Sequence, residues 1–233
     1  MMKVNNSPLY IAVLLVFTLW SCSKLDKQDF PQTGVSRVNV IHASPKTGSL
    51  DLAFDNNRLS LNFFNYTDWV RYVNIFSGTR GFYIYPKGST TPLLSKNLNF
   101  VQDKYYSVFI ADTIGKLDAV LLRDSTRPLA LGSDSVRIRF VNMSPDDGGL
   151  DLYLEGSSQP IATGISYKNA ADFVSLKAAD SAILEVRPAG QSTVLARSTP
   201  VNLVAEKYYT VWTTGYRTLT KDNAKLRVET FWH

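Results

Sequence analysis

The feature that most limits the fold of this 233-residue chain is a repeat of about one hundred residues. Ser44-Pro45 returns as Ser144-Pro145, Leu50-Asp51-Leu52 as Leu150-Asp151-Leu152, and Tyr66 as Tyr167. Tyr72-Val73 returns as Phe173-Val174, and Pro86-Lys87-Gly88 as Pro188-Ala189-Gly190. Lys104-Tyr105-Tyr106-Ser107-Val108 returns as Lys207-Tyr208-Tyr209-Thr210-Val211. The offset grows from 100 to 103 along the repeat, as single-residue loop insertions produce. Turn residues and strand residues recur in the same order, so the chain reads as two copies of one domain, residues 35–124 and 134–233. Residues 125–133 form the linker, marked by Pro128, Gly132 and Ser133. It is short, so the copies are expected to touch and to form a fairly rigid pair.

Within each copy the pattern is that of strands. Arg37-Val38-Asn39-Val40-Ile41-His42 alternates, as does Arg137-Ile138-Arg139-Phe140. Leu50-Asp51-Leu52-Ala53-Phe54 and Leu150-Asp151-Leu152-Tyr153-Leu154 place apolar side chains on every second position. Further strands are expected near 70–76, 81–85 and 105–111, and near 173–176, 182–187 and 208–213. Turn residues interrupt every eight to twelve positions, and no helical period is sustained past the amino-terminal segment. The class is all-β, most simply two tandem sandwiches of about seven strands each. With 45% hydrophobic and 19% charged residues the chain has an ordinary core to bury.

The first 21 residues read as a signal peptide. Lys3 gives a positive start, and the apolar run from Tyr10 to Trp20 is too short to span a bilayer. Leu19-Trp20-Ser21-Cys22 resembles the lipobox of bacterial lipoproteins, with Trp20 as the departure from it. Cys22 is the only cysteine, which excludes disulfides and Cys-based zinc sites within the chain. In this reading Cys22 is the lipidated residue, and residues 22–34 are a polar tether to the first domain. The partner it implies is membrane lipid, and the location is the outer membrane, facing either the cell surface or the periplasm. The lipobox style resembles lipoproteins of the Bacteroidota. Net charge is +5, or +4 from Cys22 onward, and the bases are scattered. Nucleic-acid binders concentrate theirs, so no nucleic-acid partner is expected.

The repeated residues resemble the DUF4397 family, a domain of unknown function found in bacterial exported proteins. The resemblance rests on Val38-Asn39-Val40-Ile41-His42-Ala43-Ser44-Pro45, on Leu50-Asp51-Leu52, and on Tyr66 and Tyr72. A Pro86-x-Gly88 turn and the Lys104-x-Tyr106-x-Val108 strand complete it, and Asn142-Met143 depart from it in the second copy. The resemblance implies immunoglobulin-like, Greek-key sandwiches and no particular activity.

Candidate chemistry is sparse. His42, Ser44 and Asp51 are the residues a Ser-His-Asp arrangement could recruit, but Asn142 replaces His42 in the second copy. His42 is therefore expected to be a hydrogen-bonding strand-end residue, and His233, the last residue, to be frayed. Ser44-Pro45 and Ser144-Pro145 read as turn initiators. Asp146, Asp147 and Asp151 surround a glycine-rich turn, but the spacing is not that of an EF-hand. Neither a metal nor a cofactor is expected. Asp51 and Asp151 are expected to bond neighbouring turns.

Aromatic residues offer more to a ligand. Trp69, Tyr72, Tyr83 and Tyr85 could form a platform for a sugar ring, since Trp and Tyr combine a flat apolar face with a polar edge. The competing reading places Trp69, whose counterpart is Ala170, between the two domains. Thr113, Ser125, Ser135 and Ser181 each follow an Asp in a short pattern that resembles the O-glycosylation sequon of Bacteroidota. The function expected from these readings is that of an envelope-anchored, non-enzymatic interaction or scaffolding protein that contacts a glycan or an envelope protein. The alternative is a carbohydrate-binding lipoprotein that assists glycan capture.

Overall fold

Eight strands make up the first repeat: β1 (Val35–His42), β2 (Leu50–Phe54), β3 (Asn57–Arg58), β4 (Trp69–Phe76), β5 (Gly78–Pro86), β6 (Leu94–Phe100), β7 (Tyr105–Ala111) and β8 (Asp118–Arg123). They belong to a computed structural model that describes residues 34–59, 61–125, 127–146, 148–220 and 223–233. The signal segment, Cys22 and the tether up to Thr33 lie outside the described residues. The strands form two sheets, ordered β4-β1-β7-β8 and β3-β2-β5-β6. The chain changes sheet between β1 and β2, between β3 and β4, between β4 and β5, and between β6 and β7, which makes a Greek-key sandwich rather than a meander. β1 runs parallel to β7 and the other pairs are antiparallel.

The second repeat has the same plan in shorter pieces. Its strands are β9 (Ser135–Met143), β10 (Leu150–Leu154), β11 (Pro160–Ile165), β12 (Asn169–Ala170), β13 (Val174–Lys177), β14 (Ala179–Ala182), β15 (Leu184–Pro188), β16 (Ala196–Arg197), β17 (Val201–Leu203), β18 (Tyr208–Thr214) and β19 (Arg227–Trp232). β12 and β13 both pair with β9, as β4 pairs with β1. β14 and β15 stand for β5, and β16 and β17 for β6. The expected seven strands per copy thus become eight and eleven among the described residues. Ser181, at φ 54 within β14, accompanies a register shift between Ala179 and Ala182, Ile183 separates β14 from β15, and Pro200, which lacks an N–H, falls between β16 and β17.

Each sandwich closes on its own apolar cluster. Val38, Val40, Leu52, Phe82, Ile84 and Val108 are central in the first, and Ile138, Phe140, Leu152, Leu184, Val186 and Val211 in the second. A third cluster joins the repeats. It consists of Ile41, Ala43, Phe109 and Ala111 from the first and Val141, Met143, Trp212 and Phe231 from the second. β1, β7, β9 and β18 are therefore buried on both faces. This explains why Ile41 and Ala43, and Phe109 and Ala111, add apolar side chains to the face opposite the one that alternation assigns to the core.

Trp69 belongs to this shared cluster. Its ring stacks on Phe231 with centroids 5.4 Å apart and planes 27° from parallel. Trp69 pairs with Ile41 in β1, and Ala170 pairs with Val141 in β9, so the two hold equivalent positions. Tyr66 adds a polar link by donating its hydroxyl to Thr214 Oγ1 at 3.2 Å, and Thr214 donates to Ala43 O at 2.7 Å. Lys168 of the second repeat reaches Asp112 and Asp118 of the first, at 3.5 and 3.1 Å.

Candidate functional site

The most concentrated polar chemistry among the described residues lies at the edge of the inter-repeat cluster. Asp124, one residue past β8, has a fully buried side chain, and Arg139 of β9 is 3% exposed. Arg139 Nη2 donates to Asp124 Oδ1 at 2.5 Å, and Arg139 Nε donates to Thr210 Oγ1 at 2.8 Å. Thr210 Oγ1 lies 2.7 Å from His233 Nε2, and His233 Nδ1 lies 2.6 Å from the Tyr72 hydroxyl. The Tyr72 hydroxyl donates to Asp124 Oδ2 at 2.7 Å, and Ser107 donates to both carboxylate oxygens at 3.0 and 2.9 Å.

One assignment of protons gives every group of this ring a partner. Tyr72 gives its proton to Asp124, so its oxygen must accept from His233 Nδ1–H. Nε2 is then bare and accepts from Thr210, whose oxygen accepts from Arg139. In this assignment His233 is neutral and protonated on Nδ1. Burial lowers its pKa from 6.5, against the raising effect of Asp124. Burial would raise Asp124, but the His233 Nδ1 group 3.5 Å away, the Arg139 charge and the Tyr72 donor outweigh it and hold the carboxyl below its ordinary value. Burial, together with the Asp124 charge, pushes the Tyr72 hydroxyl far up.

The order Thr-His-Asp resembles a nucleophile, a base and an orienting acid. Thr210 is nevertheless fully buried, and its oxygen is already occupied by Arg139 and His233. The ring satisfies buried polar groups that would otherwise be costly, and it gives no open approach to the hydroxyl.

The ring sits on equivalent positions of the two repeats. Arg139 corresponds to Asn39, Thr210 to Ser107, His233 to Asp124, and Tyr72 to Phe173, by strand register. One surface thus meets its own copy, with side chains diverged to complement each other. Sequence reasoning missed Asp124, Arg139, Ser107 and Thr210, and it expected His233 to fray. The His233 side chain is instead 6% exposed, and its backbone N–H bonds Tyr208 O at 2.9 Å. The available signal was a set of polar residues in the repeat on strand faces that otherwise carry apolar ones.

Alongside the ring is a cavity of about 260 Å³. Tyr72 and Tyr105 of the first repeat, Tyr208 and His233 of the second, and Arg127 and Leu129 of the linker line it. Tyr105 meets Tyr72 edge-on at 5.1 Å, and Tyr208 meets Phe173 in the same way at 5.1 Å. The Tyr208 hydroxyl donates to Arg127 O at 2.8 Å, which seats the linker over the cavity. The volume is below the roughly 300–1,000 Å³ of pockets for drug-sized ligands, and suits one ring-sized group. A larger depression of about 480 Å³ in the second repeat is lined by Arg197, Arg217, Lys225 and Arg227. Arg197 is paired with Glu185 and Glu155 there, and Arg227 with Glu229.

The four platform residues do not share a surface. Trp69 and Tyr72 face the second repeat, whereas Tyr83 and Tyr85 lie on β5 in the other sheet. They stack at 6.4 Å there, and Arg58 covers Tyr85 at 4.0 Å.

His42, Ser44 and Asp51 are not brought together either. His42 is buried and Nε2 lies 3.0 Å from Gly48 O, while Nδ1 accepts from Ser44 N at 3.4 Å. Asn142 repeats the second bond, accepting from Ser144 N at 2.9 Å, and donates to Ile165 O at 2.9 Å instead of to the turn. Burial pushes the His42 pKa down to about 4 from 6.5. Ser44 Oγ donates to Asp112 O, and Ser144 Oγ to Gly215 O. Asp51 accepts from Gly88 N and from Lys87, and Asp151 from Gly190 N and Gly164 N, so both hold neighbouring turns.

Asp146 accepts from the backbone of Arg217 and Thr218 and from the Thr218 hydroxyl. It therefore ties its turn to the loop after β18, and Asp147 lies outside the described residues. No three His, Cys, Asp or Glu side chains converge among the described residues. Of the candidate glycosylation residues, Ser181 is exposed within β14. Thr113, Ser125 and Ser135 are half-buried.

A family model described as a domain of unknown function, DUF4397, matches residues 36–153 and 136–228. The chain belongs to the DUF4397 family. The two matches begin at equivalent positions, Ser36 in β1 and Val136 in β9, so this DUF4397 protein carries the domain twice. No curated protein matches it. Among solved structures it is similar to CBMbc, a family CBM26 module of Eubacterium rectale Amy13K crystallised with maltoheptaose. Identity is 12%, with 84% of this chain and 96% of that one covered and a TM-score of 0.25. A leucine-rich repeat protein from Bacteroides thetaiotaomicron VPI-5482 is 12% identical, covering 82% of this chain and 26% of that one at a TM-score of 0.16. Superpositions this loose carry no argument about a ligand.

Proposed function

We propose that this DUF4397 protein is a lipid-anchored protein of the bacterial outer membrane, and that its two sandwiches act as one rigid, non-catalytic interaction module. The observation that carries the reading is the buried inter-repeat ring. Its groups resemble catalytic ones in kind, yet their hydrogen bonds are spent on one another, and those of Arg139 to Asp124 and of His233 to Tyr72 join the repeats. The lipobox-like segment ending at Cys22 supplies the anchor. The module would present its cavity and outer sheet faces to an envelope protein or a glycan, on the cell surface or in the periplasm. The anchor is tested by palmitate labelling and fractionation of cells that express the wild type and Cys22→Ser. Label and membrane association are expected in the first and absent in the second, and labelled, membrane-bound Cys22→Ser would refute the anchor. Turnover of any substrate in a broad hydrolase panel, abolished by Thr210→Val or His233→Ala in a folded variant, would refute the non-catalytic role.

Glycan capture is the second reading, favoured by the tyrosine-lined cavity. Tyr105 and Tyr208 replace Trp69 as the residues to test, because Trp69 is engaged by Phe231. Glycan-array binding that Tyr105→Ala and Tyr208→Ala leave unchanged would exclude this cavity as the site. O-glycosylation at Thr113, Ser125, Ser135 or Ser181 belongs to the same proposal. A mature mass without hexose increments would end it.

A further inference from the structure

We propose that the end of the first repeat that begins at Gly34 is a membrane-resting surface, with the lipid bilayer as its occupant. The proposal rests on the reading of Cys22 as the lipid anchor. Val35, Phe76 and Val101 are exposed to 41%, 56% and 53% respectively. They form one patch, because Val35 is the cross-strand partner of Phe76 and Ser36 Oγ donates to Val101 O at 2.8 Å. Ser77 N donates to Gly34 O at 2.7 Å, which fixes the first described residue at the centre of the patch. Exposed apolar residues scattered singly need no explanation, but three around one chain entry do.

The second repeat is an internal control. Ser135 and Lys177 pair there as Val35 and Phe76 do, and only Val204 keeps the apolar character of Val101. Lys177 is 81% exposed, beside Asp134. The sandwich therefore does not need Val and Phe at this end, and they occur in the copy that follows the tether.

The tether supplies proximity. Eleven residues lie between Cys22 and Gly34, and the twelve Cα–Cα steps reach about 40 Å at full extension and roughly 20 Å as a flexible coil. A surface held so close to the bilayer experiences an effective concentration in the millimolar range, so a small apolar area suffices for contact. Arg80 lies 5.9 Å from the Phe76 ring, donates to Phe76 O and Ser77 O and pairs with Asp55 at 3.4 Å, which gives the patch a polar rim.

The test uses the full acylated chain in vesicles of phosphatidylethanolamine and phosphatidylglycerol. Acylation consumes the only thiol, so Phe76→Cys and Lys177→Cys each offer one site for an environment-sensitive fluorophore. Quenching by lipids spin-labelled on the acyl chain is expected to be severalfold stronger at position 76 than at 177. Equal quenching at the two positions overturns the proposal, as does disulfide-linked dimerisation through Cys at 76 without quenching, which would make a second copy the occupant. The double variant Val35→Ser, Phe76→Lys borrows the residues of the second repeat and is expected to fold normally. It should lose the protection from hydrogen exchange that vesicles confer on residues 76–78 in the wild type, and retained protection counts against the proposal. Absence of acyl mass on the wild-type chain would refute the anchor itself, before any label is introduced, and so is distinguishable from failure of the surface.

Discussion

Asp124→Ala is the substitution with the most to say about the junction. It leaves the Arg139 guanidinium, 3% exposed, without its counter-charge, and it removes the acceptor of the Tyr72 and Ser107 hydroxyls. Removing one partner of a buried ion pair costs about 3–5 kcal/mol, because the other charge stays buried. Against a typical total stability of roughly 5–15 kcal/mol this is a large loss. Arg139→Met should cost a similar amount by stranding the carboxylate. The double variant removes both charges, so its loss should fall short of the sum by about 1–3 kcal/mol. Urea titration followed by circular dichroism measures all three. Single losses under about 1 kcal/mol, or losses that add within roughly 0.5 kcal/mol, would refute the claim that this pair is buried and coupled.

Other outcomes follow from the same contacts. His42 has a folded pKa of about 4, below its ordinary 6.5, so its contribution is complete above pH 6.5 and is lost as pH falls toward 4. His42→Asn should remove about 3 kcal/mol of that decline, at 1.36 kcal/mol per pH unit, in denaturation titrations run at several pH values. An unchanged decline would contradict the buried, neutral imidazole. A smaller decline of the same sign should remain from His233, whose pKa is also lowered, and Asp124 should add a loss below the ordinary carboxylate range. His233→Ala strands the Thr210 and Tyr72 groups and should cost about 1–3 kcal/mol, where a frayed terminus would cost nothing measurable. Trp69→Ala should cost about 3–5 kcal/mol through the lost contact with Phe231, and should leave glycan binding, if any is found, unaltered.

Much of the fold was legible because turn chemistry and strand period repeat together. Asp51 with Gly88 and Asp151 with Gly190 form the same turn bond, so their recurrence carried structural information. The replacement of His42 by Asn142 was legible for the same reason, since both offer an acceptor to the next-but-one backbone N–H. Strand number was less so, because the register shift at Ser181 rests on a left-handed backbone angle at a position that no glycine announces. The junction was hidden because Asp124 looks like the start of a polar linker and His233 like a loose end. Their burial follows from packing between residues up to 161 apart in sequence, as in the Tyr72–His233 contact, and no local period records that.

Trp212 offers the most direct measure of whether the two repeats are one body. It is buried in the shared cluster, edge-on to Phe109 of the other repeat at 5.7 Å. In urea, tryptophan fluorescence from a Trp232→Phe variant reports mainly on Trp69 and Trp212, both in that cluster. The account predicts that this signal and the backbone circular dichroism change in a single coincident transition. A fluorescence transition at distinctly lower urea, with strand signal retained, would mean that the repeats separate before they unfold and would contradict it.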